Sequence, residues 1–293
     1  MPRAARLIQR VCVLLSFSLL LNAVPLLAQE RDPKLVELAQ VLAGDIEKNS
    51  TPWPSLRHTD TVLAFDFAES SGEVTQLGIH LADELSEAMR TKAPGLTVLD
   101  RASLRDLISK DRLDPAYFQQ DSVAFWAAKS LGANVSIVGR IYADPDFITV
   151  TMHMFSGDPQ KRIGVESKQL DWTPERHTWQ AQSAKLLPPD LPWKDVPKWS
   201  SIHGHPELVC MYCPAPPYTD DARKARAQGK IMTRVLVGED GLVQDAAVLQ
   251  GLPFGLNAAA IEAVKKWRYK PLTGPDGKPM QVQVDIEMSF SVT

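Results

Sequence analysis

Two cysteines close together, Cys210-Met211-Tyr212-Cys213, follow two histidines, His203 and His205. Three chemistries fit such a set. In an oxidising compartment two thiols this near each other form a local disulfide. A thioredoxin-like redox site would need a helix starting at the pair to lower a thiol pKa, and Pro214, Pro216 and Pro217 preclude an immediate regular helix. Tetrahedral zinc accepts the ligand composition His203, His205, Cys210 and Cys213, although the spacing is shorter than in common fingers and His205-Pro206 constrains the approach. The Cys210–Cys213 disulfide is the preferred reading, and no metal or cofactor is assigned.

Asp66, Asp83 and Asp100 invite a second chemistry, because paired carboxylates can share acid and base roles. Each has a plainer local explanation. Asp100 fits a helix cap and Asp83 a solvated helix face, while Asp66 alone sits in an otherwise apolar strand. The sequence has no glycine-rich phosphate loop, zinc-protease pair or Gly-x-Ser-x-Gly elbow. His58, His80, His153 and His177 are scattered and read as surface or core residues. No catalytic residue is assigned, the chain is not read as an enzyme, and no small-molecule substrate follows. With 32 basic against 35 acidic side chains there is no electrostatic footprint for nucleic acid.

The elements that position these residues begin with a segment of a different kind. Arg3, Arg6 and Arg10 precede the apolar run Val11 to Leu21, which continues past Asn22 and Pro25 to Ala28 before Gln29-Glu30-Arg31. A basic head, an apolar middle and a small residue at a polar boundary describe a secretory signal over residues 1–28. The alternative is an uncleaved inner-membrane anchor over residues 11–28, since the stretch approaches the roughly 20 residues that span a bilayer. Cys12 lies at the start of the apolar run, where lipid attachment would need it at the end. The rest is expected to be periplasmic or otherwise exported.

At 293 residues and 44% hydrophobic content the chain has room for two globular domains. A short amphipathic helix is expected over 32–48, carrying Leu35, Leu38, Val41 and Leu42. An α/β sheet domain is expected over 55–186. Its buried strand is Thr61 to Phe67, and its next helix carries Leu77, Leu81, Leu85 and Met89. Leu96 to Leu99 is a short strand before a helix with Leu104, Leu107 and Ile108. A third helix runs from about Ser122 to Leu131, and the strands Val135 to Ile141 and Phe147 to Phe155 turn at Asp144-Pro145-Asp146. Leu81-Ala82-Asp83-Glu84-Leu85, Val98-Leu99-Asp100-Arg101 and Leu131-Gly132-Ala133 before Val138-Gly139 resemble the TolB amino-terminal domain and the related CsgG and FlgO group of envelope proteins. The resemblance covers about Thr61 to Leu170 and implies an assembly or docking module with no catalytic residues.

Residues 187–216 are rich in proline, with Trp193 and Trp199 interleaved, and read as an extended, semi-rigid connector. Fully extended it reaches about 90 to 100 Å, and the alternative is that its tryptophans dock it. A small α+β domain then occupies 217–293, with antiparallel strands and one main helix, so the architecture is α/β in the first domain and α+β overall. Lys230 to Val237 alternates as a strand, Glu239-Asp240-Gly241 turns it, and Leu242 to Leu249 returns. Leu256, Ala260, Ala263 and Trp267 recur at helical spacing. In the last strand Met280, Val282, Val284, Ile286, Met288, Phe290 and Val292 alternate with Gln281, Gln283, Asp285, Glu287, Ser289 and Ser291, so one face is expected in a core and the other in solvent.

Pro217-Tyr218-Thr219, Gly229-Lys230, Glu239-Asp240-Gly241, Gly255-Leu256 and Trp267-Arg268-Tyr269 before Pro271, together with that last strand, resemble the C-terminal domain of the TonB family of periplasmic energy transducers. The resemblance implies a non-enzymatic envelope protein that binds an extended segment of an outer-membrane receptor, or of another envelope protein, by strand addition. The expected partner-binding edge is Val282, Val284, Ile286, Met288 and Phe290. Thr219 stands where the family has proline, and no histidine lies between Val11 and Ala28 to contact an inner-membrane motor. Motor proteins therefore enter as partners only if the chain is anchored. The alternative role is a structural envelope scaffold not coupled to the proton gradient.

Overall fold

A computed structural model describes residues 32–50, 60–157, 160–202 and 207–291. The expected signal or anchor, His203, His205 and Val292 lie outside the described residues. Helix α1 (Pro33–Asn49) starts where the Asp32 carboxylate accepts the Lys34 N–H at 2.8 Å, with proline in its first turn. Strand β1 (Thr61–Ala64) is shorter than the apolar run, and a second short strand β2 (Ala68–Glu69) follows. Between them Phe65, Asp66 and Phe67 stay buried outside regular strand. The reason is close packing: the Phe67 N–H bonds the Gly78 carbonyl at 3.2 Å, and a Cβ on Gly139 would stand 2.1 Å from the Phe67 ring.

Helix α2 (Gln76–Lys92), strand β3 (Thr97–Val98), helix α3 (Ala102–Asp111), a 3-10 turn over Pro115–Gln119 and helix α4 (Asp121–Ser130) come next. Strands β4 (Val135–Ala143), β5 (Phe147–Ser156) and β6 (Lys161–Asp171) then form an antiparallel meander. The sheet order is β3-β1-β4-β5-β6, with β1 parallel to both neighbours and β2 beside β4. Helix α5 (Pro174–Gln180) closes the domain. Its buried Arg176 donates to Asp32 Oδ2 at 2.8 Å and to the Asp171 carbonyl at 2.7 Å, tying α5 to the start of α1 and the end of β6.

After the connector come the short strand β7 (Cys210–Tyr212), helix α6 (Asp220–Ala225), strands β8 (Gly229–Val237) and β9 (Val243–Gln250), helix α7 (Leu256–Val264), strand β10 (Arg268–Tyr269) and strand β11 (Val282–Phe290). Gly241, at φ 78°, supplies the left-handed residue of the β8–β9 turn. The antiparallel sheet has the order β11-β8-β9, while β7 pairs with β10. The chain is thus α+β, as its alternating patterns imply.

Among the described residues two large apolar clusters form the core, beside a third, small one. One packs Leu35, Leu42, Leu77 and Leu81 of α1 and α2 on Ile137, Val150 and Met152 of the first sheet. The other joins Leu104, Val123 and Val138 of the first domain to Ile231, Leu256 and Val284 of the C-terminal module in one continuous core. Polar seams flank this contact. The Gly251 N–H donates to the Arg112 carbonyl at 2.9 Å, Asn257 Nδ2 donates to the Asp111 carbonyl at 2.6 Å, and Arg112 Nε donates to the Leu249 carbonyl at 3.3 Å.

Candidate partner-binding edge

The three aspartates do not form an acid–base pair. Arg101, 2% exposed, lies between them: it bonds Asp66, 5% exposed, reaches Asp83 Oδ1 at 2.6 Å, and donates to the Ala64 carbonyl at 2.7 Å. Arg105 adds a second contact to Asp83 at 3.0 Å. Asp100, one residue before the Arg101 cap position, accepts the Ala102 N–H at 2.8 Å and so satisfies the first amide of α3. A buried charge is tolerated only when it is paired and hydrogen-bonded. Asp66 therefore answers the need of Arg101, which holds the end of β1 against the start of α3.

Cys210 and Cys213 are joined as a disulfide. With both sulfurs bonded to each other, the four-ligand zinc set loses two members, and its histidines lie outside the described residues. The bridge starts in β7, whose Met211 and Tyr212 are exposed, as is Val209 just before it. Lys270 N–H donates to the Val209 carbonyl at 3.0 Å, and Trp267 Nε1 donates to the Pro214 carbonyl at 2.9 Å, which fastens the end of the connector to the module. Burial pushes the neighbouring Tyr269 phenol up, so it stays neutral.

The last strand is where partner chemistry remains open. β11 pairs with β8 over its whole length, from Val282 opposite Val237 to Phe290 opposite Gly229, without a register shift. The apolar side chains of the expected edge face inward, as their alternation implies: Val282, Val284, Met288 and Phe290 are buried in the shared core, with Ile286 packed against it. They seat the strand, and what the edge offers is backbone. Its parity is fixed by one bond, since the Gln283 N–H points away from β8 and donates to the Pro197 carbonyl at 2.9 Å. In an antiparallel ladder alternate residues turn both backbone groups to the same side. Asp285, Glu287 and Ser289 therefore direct their N–H and C=O groups outward, and all three residues are exposed.

Side chains brace this edge from the solvent face. Arg234 on β8 makes a two-point contact with Asp285, at 2.5 and 2.8 Å, and Lys230 meets Glu287 at 2.7 Å. The hydrogen bond to Asp285 holds the Arg234 guanidinium above its ordinary value. Such partly exposed pairs contribute at most about 1 kcal/mol each, so they set local order more than stability.

Gln283 breaks the alternation. It belongs to the polar set yet is only 2% exposed, because the connector lies over it. Leu191 and Trp193 pack on Leu236, and Trp193 Nε1 donates to Asp245 Oδ2 at 2.9 Å. Gln283 Nε2 lies within hydrogen-bond distance of the carbonyls of Trp193, Lys194 and Val196, at 2.8, 2.9 and 2.6 Å. Lys198 then bridges Gln283 in parallel, and Trp199 enters the shared core. The covering segment arrives through tertiary packing, so no local signal in the sequence marks Gln283.

Among the described residues no helix is long and apolar enough to cross a membrane. Residues 214–292 match the family model for the Gram-negative bacterial TonB protein C-terminal. No curated protein matches the chain. Among solved structures, the chain is similar to the TonB C-terminal domain of Pseudomonas aeruginosa at 20% identity, over 31% of this chain and 93% of that one, with a TM-score of 0.26. It is also similar to the LpoB C-terminal domain of Escherichia coli, at 12% identity over 47% and 98% of the two chains with a TM-score of 0.33. The lipoprotein GNA1162 of Neisseria meningitidis is similar at 12% identity over 39% and 82%, with a TM-score of 0.30. The TonB-type family model thus begins one residue after the disulfide's second cysteine and takes in α6 to β11.

Proposed function

We propose that this chain is a non-enzymatic, exported envelope protein whose C-terminal module adds an extended segment of an envelope partner to the edge of β11. The carrying observation is the outward row of backbone groups at Asp285, Glu287 and Ser289 on a strand whose apolar side chains are locked in the core. Main-chain pairing supplies affinity in this mode, and alternate side chains supply selectivity. The TonB-type match over 214–292 supports a segment of an outer-membrane receptor as the partner, with the chain acting as transducer or adaptor in transport.

A second role draws support from the seam between the two domains. A module that shares its core with the preceding domain, beneath a docked connector, suits a fixed assembly scaffold better than a far-reaching transducer. On that reading the first domain, with its resemblance to the TolB amino-terminal group, offers further docking surface, and the proton gradient is not used.

Proline decides whether the edge is the site. At Glu287 or Ser289 the missing N–H faces outward and the β8 ladder keeps its bonds, so Glu287→Pro and Ser289→Pro fold but cannot pair with an added strand. A photo-crosslinker at Asp285, used in the protein's own envelope, is expected to capture an extended segment of one partner and to lose it in both proline variants. Capture that survives both prolines in folded protein overturns the edge as the binding site.

A further inference from the structure

We infer that residues 191–198 form an internal strap that occupies the first rung of the β11 edge and must leave before a partner can use that rung. This inference rests on the strand-addition reading and concerns the regulation of the same site. The outward backbone positions of β11 are Gln283, Asp285, Glu287 and Ser289, and the strap already holds the first of them through Pro197 and Lys198. It pairs in the manner of a bound strand, with a backbone bond to the edge and a parallel bridge. Proline is compatible with this place because Pro197 contributes only its carbonyl.

The hold on the strap is local as far as Lys198, beyond which Trp199 anchors the chain in the shared core. Its outer half rests on a small cluster, Leu191, Trp193 and Val196 against Leu236 and Ala247, separate from the shared core. Gln283 gathers three strap carbonyls with its amide nitrogen, while its own Oε1 is buried without a partner. An orphaned acceptor is an energetic penalty of the closed arrangement that release into water would relieve. Strap and partner are then exclusive at Gln283, and the fraction of open strap scales the apparent affinity for any segment that needs all four positions.

A synthetic fluorescent peptide copying residues 191–202 serves as the probe, with the full chain as receptor. Trp193→Ala removes the strap's ring from Leu236 and its bond to Asp245 but leaves the edge untouched. The peptide carries its own tryptophan and is expected to bind this variant on the order of tenfold more tightly than the wild-type chain, in proportion to the open fraction. Exchange at the Gln283 amide is expected to quicken in the variant and to slow again when peptide is added. Asp245→Ala, a milder change, is expected to shift both readings in the same direction by less. Equal peptide binding by the wild type and a folded variant overturns the strap, and Asp245→Ala decides the matter if Trp193→Ala does not fold. No envelope partner enters this measurement, so loss of the strand-addition reading in the crosslinking experiment leaves the peptide result standing, and the reverse.

Discussion

The two faces of the first sheet are closed in different ways. On one face Ile137, Ile141 and Val150 meet α1 and α2, and the resulting core belongs to the first domain alone. On the other, Val138 and the helices α3 and α4 belong to a core completed by residues of β8, β11, α6 and α7. The first face makes a domain, and the second makes two sequence domains into one folded unit. A boundary visible in composition at residues 187–216 is therefore not a boundary in packing.

Removing residues 217–293 is the strongest way to break this contrast. It deletes three seam hydrogen bonds, at about 1 kcal/mol each, and uncovers apolar side chains at about 1.5–3 kcal/mol each. The remaining domain is expected to lose about 5 kcal/mol or more and to melt roughly 10–20 °C lower, and an unchanged calorimetric midpoint would show that the second face is closed without the module. Next in size, Leu256→Ala and Leu81→Ala are each expected to cost about 2–5 kcal/mol. They differ in reach: hydrogen exchange should show Leu256→Ala loosening α4 as well as the module, whereas Leu81→Ala spares the β8–β11 ladder until global unfolding.

Smaller changes sharpen the comparison at its margins. Replacing Cys210 and Cys213 by serine is expected to cost about 2 kcal/mol on the chain-entropy account of so short a loop. The loss should appear first as faster exchange at the Lys270 amide, with the first domain unaffected. The least effect lies at Glu84, on the private face, where burial outweighs the nearby Arg176 and holds the carboxyl above its ordinary 4.5. The folded state takes up this proton before the unfolded state does. The group's contribution to stability therefore rises as pH falls through its folded value and levels off below 4.5. Glu84→Gln should flatten the stability profile just above 4.5, measured by denaturant midpoints across that range.

What the sequence made legible was local periodicity. Val282 to Phe290 alternates cleanly and is a strand, and Leu77 to Met89 steps by helical spacing and is a helix. β6 escaped because its apolar positions are interrupted by Gly164, Glu166 and Lys168, so its place is set by pairing with β5 rather than by its own pattern. The apolar surface of α4 gives no hint of whether its own sheet or a distant module covers it. At the candidate site the strand was readable, but the direction of its backbone groups was not. That parity follows from which residue meets Pro197, a contact brought about by a segment more than eighty positions earlier. The Asp66 anomaly was likewise visible, while the partner that explains it, Arg101, lies 35 positions away and was not.

The docked connector also changes the kinetics of encounter. A module on a free tether of this length would sweep a wide volume and meet a membrane-bound target at a high effective concentration set by the tether. Here Trp193 packs on Leu236 of the module and Trp199 enters the shared core, so the segment is no free tether. On the strand-addition reading, reach toward a target is then left to the partner's own extended segment rather than to residues 187–216. Selection would act on the length of that segment in the partner, since this protein has folded its own line in.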